Sequence, residues 1–372
     1  MDFTEQKTKL YWNDVIFGPG GMVLFLSLLL YIIGVVFIYL ATPDNDYYKK
    51  QLIWGGISLV TIIIVLHIDY VWIVRNWFIF YAGGIFLLIL TRFVGQVINN
   101  SRRWIKLGPV SLQTSDIMKI AFIITLAYIL TTQPRKNSWQ DLIRPAIFAS
   151  FPMLLIVMQP DLGTTLVFIP ISVCMILASG LPMKIFVVLG VIALNLGILV
   201  WFYGLHDYQK QRILVFVNQS ELSVADKQGD GYHLWQSKTA IGNGGLFGTG
   251  YNNSIQNRYK YLPENHTDFI FAAIGEYAGF VGIAGILILY FLLYFLMMFG
   301  IYSISTPCGQ LIIVGIMSLL AFQTVINTCM TMGLAPITGL PLPFLSYGGT
   351  SLLTNSICIG LVVSILGRRA VR

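Results

Sequence analysis

The stretch DFIFAAIGEYAGFVGIAGILILYFLLYFLMMFG, residues 268–300, decides the fold. Read as a helix it would run roughly 50 Å at 1.5 Å per residue, well beyond the ~30 Å hydrocarbon core of a bilayer. A segment this apolar belongs in lipid or protein, so its outer end must tilt, kink or protrude. Glycines at 275, 279, 282 and 285 offer places for a kink or for close approach of a neighbouring helix. Counted back from Gly300, about 20 residues fill the hydrocarbon, which leaves Asp268 near or above the far interface.

The rest of the chain is of the same kind. Of its 372 residues, 56% are hydrophobic and 10% charged, too little charge to clothe a soluble globule. Apolar runs of about 20 residues recur from end to end, without the short alternating segments of a membrane barrel. The expected fold is an all-α polytopic membrane protein, a single domain over 1–372 with about ten transmembrane helices. The spans are 20–42, 51–68, 75–93, 116–132, 143–159, 163–180, 184–204, 268–300, 309–335 and 348–367. One long segment, 205–266, separates spans seven and eight.

An even number of spans puts both ends on one side. Lys7, Lys9, Arg75, Arg135, Lys136, Arg144, Lys184, Arg368, Arg369 and Arg372 fall there, against Lys49, Lys50, Arg92, Arg102, Arg103 and Lys106 near short opposite loops. That bias makes both termini cytoplasmic and 205–266 a large extracytoplasmic loop. The first apolar run is too long for a cleavable signal and reads as an anchor. The net charge of +7 is scattered over both faces, which suits anionic membrane lipids and sets nucleic acid aside as a partner. Cys174, Cys308, Cys329 and Cys358 lack C-x-x-C spacing and read as packing residues.

Acids at membrane depth persist when they face a cavity, pair with a cation or do chemistry. Asp116 and Lys119 are three apart, on one helix face, and read as a structural pair. Asp161, between Pro160 and Gly163, is either a helix N-cap or a functional acid. Asp268 is either a first-turn carboxylate favoured by the helix dipole or an acid on the rim of an outward-facing cavity. Partial desolvation there would suit a general base.

Two polar segments flank this acid. The outer loop carries GYHLWQSKTAIGNGGLFGTGY, 231–251, whose glycines resemble a phosphate cradle, yet no strand precedes them and no G-K-[ST] follows. His206, His233 and His266 lack metal-ligand spacing. Near the end, GLAPITGLPLPFLSYGGTS is poor helix and poor linker. Irregular backbone at this depth must be buried in protein or line a cavity, so 336–347 reads as a packed, re-entrant-like loop.

Six ordered motifs, RRWI at 102–105, MQPDLGT at 158–164, DYQKQR at 207–212, GYHLWQSKTAIGNGGLFGTG at 231–250, LPENHTDFIFA at 262–272 and GLPLPFLSYGG at 339–349, give the chain its resemblance. It resembles the SEDS family (shape, elongation, division and sporulation), and its RodA-like elongation members above all. The resemblance implies a ten-span peptidoglycan glycosyltransferase that polymerises lipid II at the outer face of the bacterial cytoplasmic (inner) membrane. The family's key acid falls on Asp268, which would deprotonate the sugar 4-hydroxyl of an acceptor. That hydroxyl attacks a lipid-linked donor and releases undecaprenyl pyrophosphate. Arg212, Lys238, Arg103 and Lys119 are the candidate cations for the pyrophosphate, while Glu264, His266 and Glu276 match the family's motif around the acid and shape its environment; Asp161 also matches a family motif and counts with them as a substrate-binding candidate. The resemblance also implies a class B penicillin-binding transpeptidase as partner and allows a divalent cation, Mg2+ or Mn2+, as helper; no organic cofactor is expected. The metal ligands are unknown.

The chain departs from the family pattern in places. Q-P-S-E appears as QTSD ending at Asp116, the second acid after the catalytic turn is Tyr277, glycine-threonine-glutamine appears as SIQ at 254–256, and the last serine of S-Y-G-G-S is Thr350. The competing reading is a lipid II flippase, whose polar groups would line a path through the bilayer; a third is a silent scaffold.

Overall fold

A computed structural model describes residues 8–98, 101–107, 110–132, 140–180, 207–219 and 231–370. Strand β1 (Thr8–Leu10) and helix α1 (Trp12–Phe17) lead into α2 (Pro19–Ala41), α3 (Tyr47–His67), α4 (Tyr70–Arg75) and α5 (Trp77–Val94). Strands β2 (Gln96–Ile98), β3 (Ser101–Leu107) and β4 (Val110–Gln113) precede α6 (Thr114–Thr132), α7 (Gln140–Val157) and α8 (Leu162–Ala178). The segment between spans contributes α9 (Asp207–Val217), α10 (Tyr232–Gly244), α11 (Gly250–Asn253) and α12 (Ile255–Arg258). Then come α13 (Ile270–Ile301), α14 (Pro307–Met332), α15 (Gly349–Leu366) and strand β5 (Arg368–Ala370).

Seven of the described helices, α2, α3, α5, α6, α13, α14 and α15, are long and apolar enough to cross a membrane, and α8 is a shorter apolar helix. Helix α7 occupies the fifth expected span and contains Pro145 and Pro152. The expected span 184–204 lies outside the described residues. The centre of the bundle is α6, α14 and α15, the most enclosed of the seven, while α2, α3, α5 and α13 turn much of their surface outward.

The fold is not purely helical. SRRWIKL alternates along β3, burying Ile105 and exposing Arg102 and Lys106, as a strand must. It pairs antiparallel with β4 in the register Trp104↔Gln113, Ile105↔Leu112. On the opposite side of the bundle β1 pairs with β5, Lys9 facing Arg369. Neither sheet follows from hydropathy, because both are too short to carry a pattern.

Helix α13 is broken at Gly279, whose φ of 66° and ψ of −161° are not helical. A Cβ at Gly279 would lie 2.3 Å from the Gly248 amide nitrogen, so only glycine fits there. The loop after α10 enters the break: Phe280 N donates to Gly245 O (2.9 Å), Val281 N to Leu246 O (3.1 Å), and Thr249 N to Glu276 O (2.9 Å). Amides freed by the break are thereby satisfied from another segment. From 280 to 301 the helix is roughly 33 Å long, one hydrocarbon thickness. Of the glycines of 242–250, Gly244 and Gly248 serve close packing against α13: a Cβ there would lie 1.9 Å from Gly275 O and 2.1 Å from Tyr277 O, respectively.

Helix α14 ends at Gly333 (φ 77°), where Leu334 N bonds Cys329 O at 2.7 Å and Gly333 N bonds Met330 O at 3.2 Å, a Schellman ending. Irregular chain then runs to Gly348, with Leu340, Leu342 and Leu345 buried.

Inside α6, Lys119 Nζ donates to Asp116 Oδ1 at 2.7 Å, and both side chains are buried. Removing one member of such a pair strands a charge at low dielectric. Lys119→Met alone should therefore cost about 3–5 kcal/mol, and Asp116→Leu with Lys119→Met should recover most of that loss. Thermal unfolding of detergent-solubilised variants checks this; a Lys119→Met protein as stable as wild type would show the pair to be solvated.

Candidate active site

Asp268 does not open α13, as the sequence suggested, but sits in the turn just before it. Glu264 adopts φ 51°, and its carbonyl accepts from Thr267 N and Phe269 N, both at 3.1 Å. This folds 264–269 back on itself and delays the helix to Ile270. The turn is fastened to the loop after α14: Ser346 Oγ donates to Thr267 O (2.6 Å), Tyr347 N to His266 O (2.8 Å), and Asn327 Nδ2 to Asp268 O (2.9 Å).

A cavity of about 650 Å³ opens beside Asp268. Its upper wall carries Thr267, Gln113, Trp104 and Ser351, and its far wall is one face of α3 with Lys50, Ile53, Trp54 and Ile57. Ile53 is 65% and Ile57 43% exposed, on the outward side of α3. Trp54 lies flat on the chain at Gly349, where a Cβ would come within 2.0 Å of its ring. Lys50 Nζ stands 5.8 Å over the Tyr47 ring, and Tyr47 in turn stacks on His266 at 4.3 Å.

Asp268 is half-buried and has no hydrogen-bond donor on its carboxylate among the described residues. Desolvation raises its pKa from 3.8 to about 6; Glu264 adds to the rise and Arg212 opposes it. Burial also lowers the pKa of His266 and of His233; Glu264 opposes both shifts, and Arg212 reinforces that of His233. An acid with a pKa near neutrality at the edge of a cavity can take and return a proton.

The other sequence candidates are dispersed. Arg212 lies within electrostatic reach of Asp268 and donates to Ile337 O at 3.3 Å. Glu264 shares the acid's turn and accepts from Thr267 Oγ1 at 2.8 Å. Lys238 does not line the cavity; it donates to Gln219 Oε1 at 3.2 Å, beside the end of α14. Asp161 caps α8 through Thr164 N (3.1 Å) and Thr164 Oγ1 (2.9 Å), and Arg103 Nη1 approaches it at 3.4 Å. Arg103 also donates to Pro160 O. This pair sits behind Gln113, which reaches Asp161 Oδ2 at 3.5 Å, and pins the β3–β4 hairpin to α8.

Glu276 is turned away from the cavity. Its oxygens accept from Gln256 N (2.8 Å), Asn257 N (3.0 Å) and Asn257 Nδ2 (2.6 Å), and with no exposed surface the carboxylate is closed to a ligand. Lys119 is spent on Asp116. Among the described residues no three His, Cys, Asp or Glu side chains converge, so those residues make no cage for Mg2+ or Mn2+. Sequence reasoning passed over Lys50, Trp54, Trp104, Gln113 and Asn327. Lys50 and Trp54 at i and i+4 on one face of α3 were the available signal.

A bundle of membrane-crossing helices with a desolvated acid beside a large cavity defines a multi-pass membrane protein with a candidate active site at one face. The chain belongs to the FtsW, RodA and SpoVE family, described as cell cycle proteins, which matches residues 21–370. Stage V sporulation protein E of Bacillus subtilis is 36% identical, over 94% of this chain and 97% of that protein. The peptidoglycan glycosyltransferase RodA of Treponema pallidum is 32% identical, over 91% and 95%. The peptidoglycan glycosyltransferase MrdB of Escherichia coli is 32% identical, over 96% and 95%. Among solved structures, RodA of Thermus thermophilus aligns with a TM-score of 0.70 at 27% identity, over 92% of this chain and 95% of that one. A chain from the structural coordination of polymerization and crosslinking by a peptidoglycan synthase complex aligns with a TM-score of 0.82 at 27% identity, over 96% and 97%.

Glu276→Ala would strip the acceptor from three buried donors, each charge-assisted bond being worth about 1.5–3 kcal/mol. Amide hydrogen exchange should then accelerate across 254–267 with the transmembrane helices unchanged; uniform protection in wild type and variant would contradict this anchoring role.

Proposed function

We propose that the chain is a peptidoglycan glycosyltransferase that polymerises lipid II during cell elongation, at the outer face of the bacterial cytoplasmic membrane, with Asp268 as general base. One observation carries the reading: a single cavity joins the Asp268 carboxylate to the outward apolar face of α3. An amphiphile fits that shape. A polyprenyl tail lies along Ile53, Trp54 and Ile57, its phosphates come within reach of Lys50, and its sugars meet Thr267, Gln113 and Ser351. The Asp268 carboxylate takes the proton of the acceptor 4-hydroxyl as that oxygen bonds the donor's anomeric carbon. The bond from that carbon to the pyrophosphate oxygen breaks, and undecaprenyl pyrophosphate leaves with the electron pair.

The names of the curated relatives support the glycosyltransferase reading, and the motifs around 231–250 support elongation over division. The match to a chain of a peptidoglycan synthase complex supports a class B penicillin-binding transpeptidase as partner. The distribution of Lys and Arg supports cytoplasmic termini.

Labelled lipid II offered to the purified chain with its transpeptidase should yield polymer from wild type and none from Asp268→Asn at equal folding. Translocation of lipid II without polymer would instead mark a flippase. The base must be ionised, so kcat/KM should rise with pH through about 6 and level off above it. Glu264→Gln should move that limb to lower pH and Arg212→Gln to higher pH, since the first raises and the second lowers the acid's pKa. A pH–rate profile unmoved by either substitution would remove Asp268 as the titrating group.

A further inference from the structure

Asn327 projects from α14 with no exposed surface. Its Nδ2 donates to Asp268 O at 2.9 Å and to Leu340 O at 2.8 Å, spending both amide hydrogens on two different segments. Leu340 follows Gly339 (φ 72°), where an added Cβ would lie 3.5 Å from Asp268 Oδ2, so the carboxylate looks onto this part of the loop. Nearby threonines behave otherwise: Thr324, Thr328 and Thr331 bond carbonyls of their own helix.

The amide oxygen of Asn327 is buried without a partner among the described residues. Leaving a buried acceptor unmade is costly. An apolar side chain of similar volume would remove that one orphan but would take the donor from the Asp268 and Leu340 carbonyls. The asparagine is thus explained by the two backbones it joins.

We infer that Asn327 is the positioning residue for Asp268, one buried amide that fixes the acid's turn at a set distance from the cavity floor facing its carboxylate. The inference rests on the reading of Asp268 as base. Asn327 touches no reacting atom; it acts by holding the backbone from which the carboxylate projects. A displacement of about 1 Å at a base can lower turnover roughly 10²-fold, with little effect on substrate contacts made elsewhere.

Asn327→Asp preserves shape but presents acceptors to two carbonyl oxygens, whereas Asn327→Ser keeps one donor. In lipid II polymerisation by the full chain with its transpeptidase, Asn327→Asp should lower kcat roughly 10²-fold with KM little changed. It should also displace the acid limb of the pH–rate profile, and Asn327→Ser should fall between it and wild type. A lowered thermal midpoint with kcat and the acid limb both at wild-type values would overturn the inference in favour of a packing role. Should Asn327→Asp fail to fold, Asn327→Ser decides by the same two readouts. Asp268→Asn, run alongside, separates the levels: polymer from that variant defeats the reading of the base itself. A silent Asp268→Asn beside a fully active Asn327→Asp defeats only the role of Asn327.

Discussion

Backbone that leaves helix inside a membrane bundle must still have its polar groups bonded. The stretch between Gly333 and Gly348 meets that demand by borrowing partners from several directions. Gln51 on α3 donates to Ser346 O and accepts from Gly348 N. Tyr290 on α13 donates to Pro343 O, and Ser346 closes the loop on itself through Leu342 N. Phe344, a bulky residue, is held at φ 65°, a conformation that persists only when its surroundings over-determine it. The loop is therefore the point at which α3, α13 and α14 are tied together, and it forms one wall of the cavity. Remove its bonds and the cavity loses both its floor and the spacing of its acid.

Asp161, Glu276 and Asp268 are distinguished by what donates to them. Asp161 and Glu276 are ringed by N–H and O–H donors and hold segments in place: the β3–β4 hairpin in one case, 254–258 in the other. Asp268, half-buried at the cavity, lacks their donors among the described residues, and desolvation raises its pKa to about 6. Sequence similarity alone grouped all three as parts of one site. Hydrogen bonding divides them into two that hold segments in place and one whose carboxylate has no donor among the described residues.

How much of this was legible in the sequence follows from the range of each interaction. The helices were readable because hydropathy is local, and Asp268 because its motif is contiguous. A break in α13 was foreseeable from its glycines, but not that Gly279 would carry it, since the choice depends on where the 245–249 loop docks. The pairing of Arg103 with Asp161 joins residues on a strand and a helix start far apart in the chain, and spacing says nothing about it. Lys50 was counted only for the charge of its loop, because nothing local shows that α3 turns this face toward Asp268. Asn327 looked like any polar residue in an apolar helix. Its meaning lies in two carbonyls supplied by other segments.

The interruption at Gly279 also bears on what sets the angle of the segment that leads to the acid. Residues 270–278 form a short lever, joined to the lipid-embedded shaft at one pivot and braced by a strap from the 244–249 segment. Its far end carries the Asp268 turn, which Ser346, Tyr347 and Asn327 hold in place. A side chain at the pivot would push the strap away from it, and the segment leading to the acid would lose the brace that fixes its angle to the shaft.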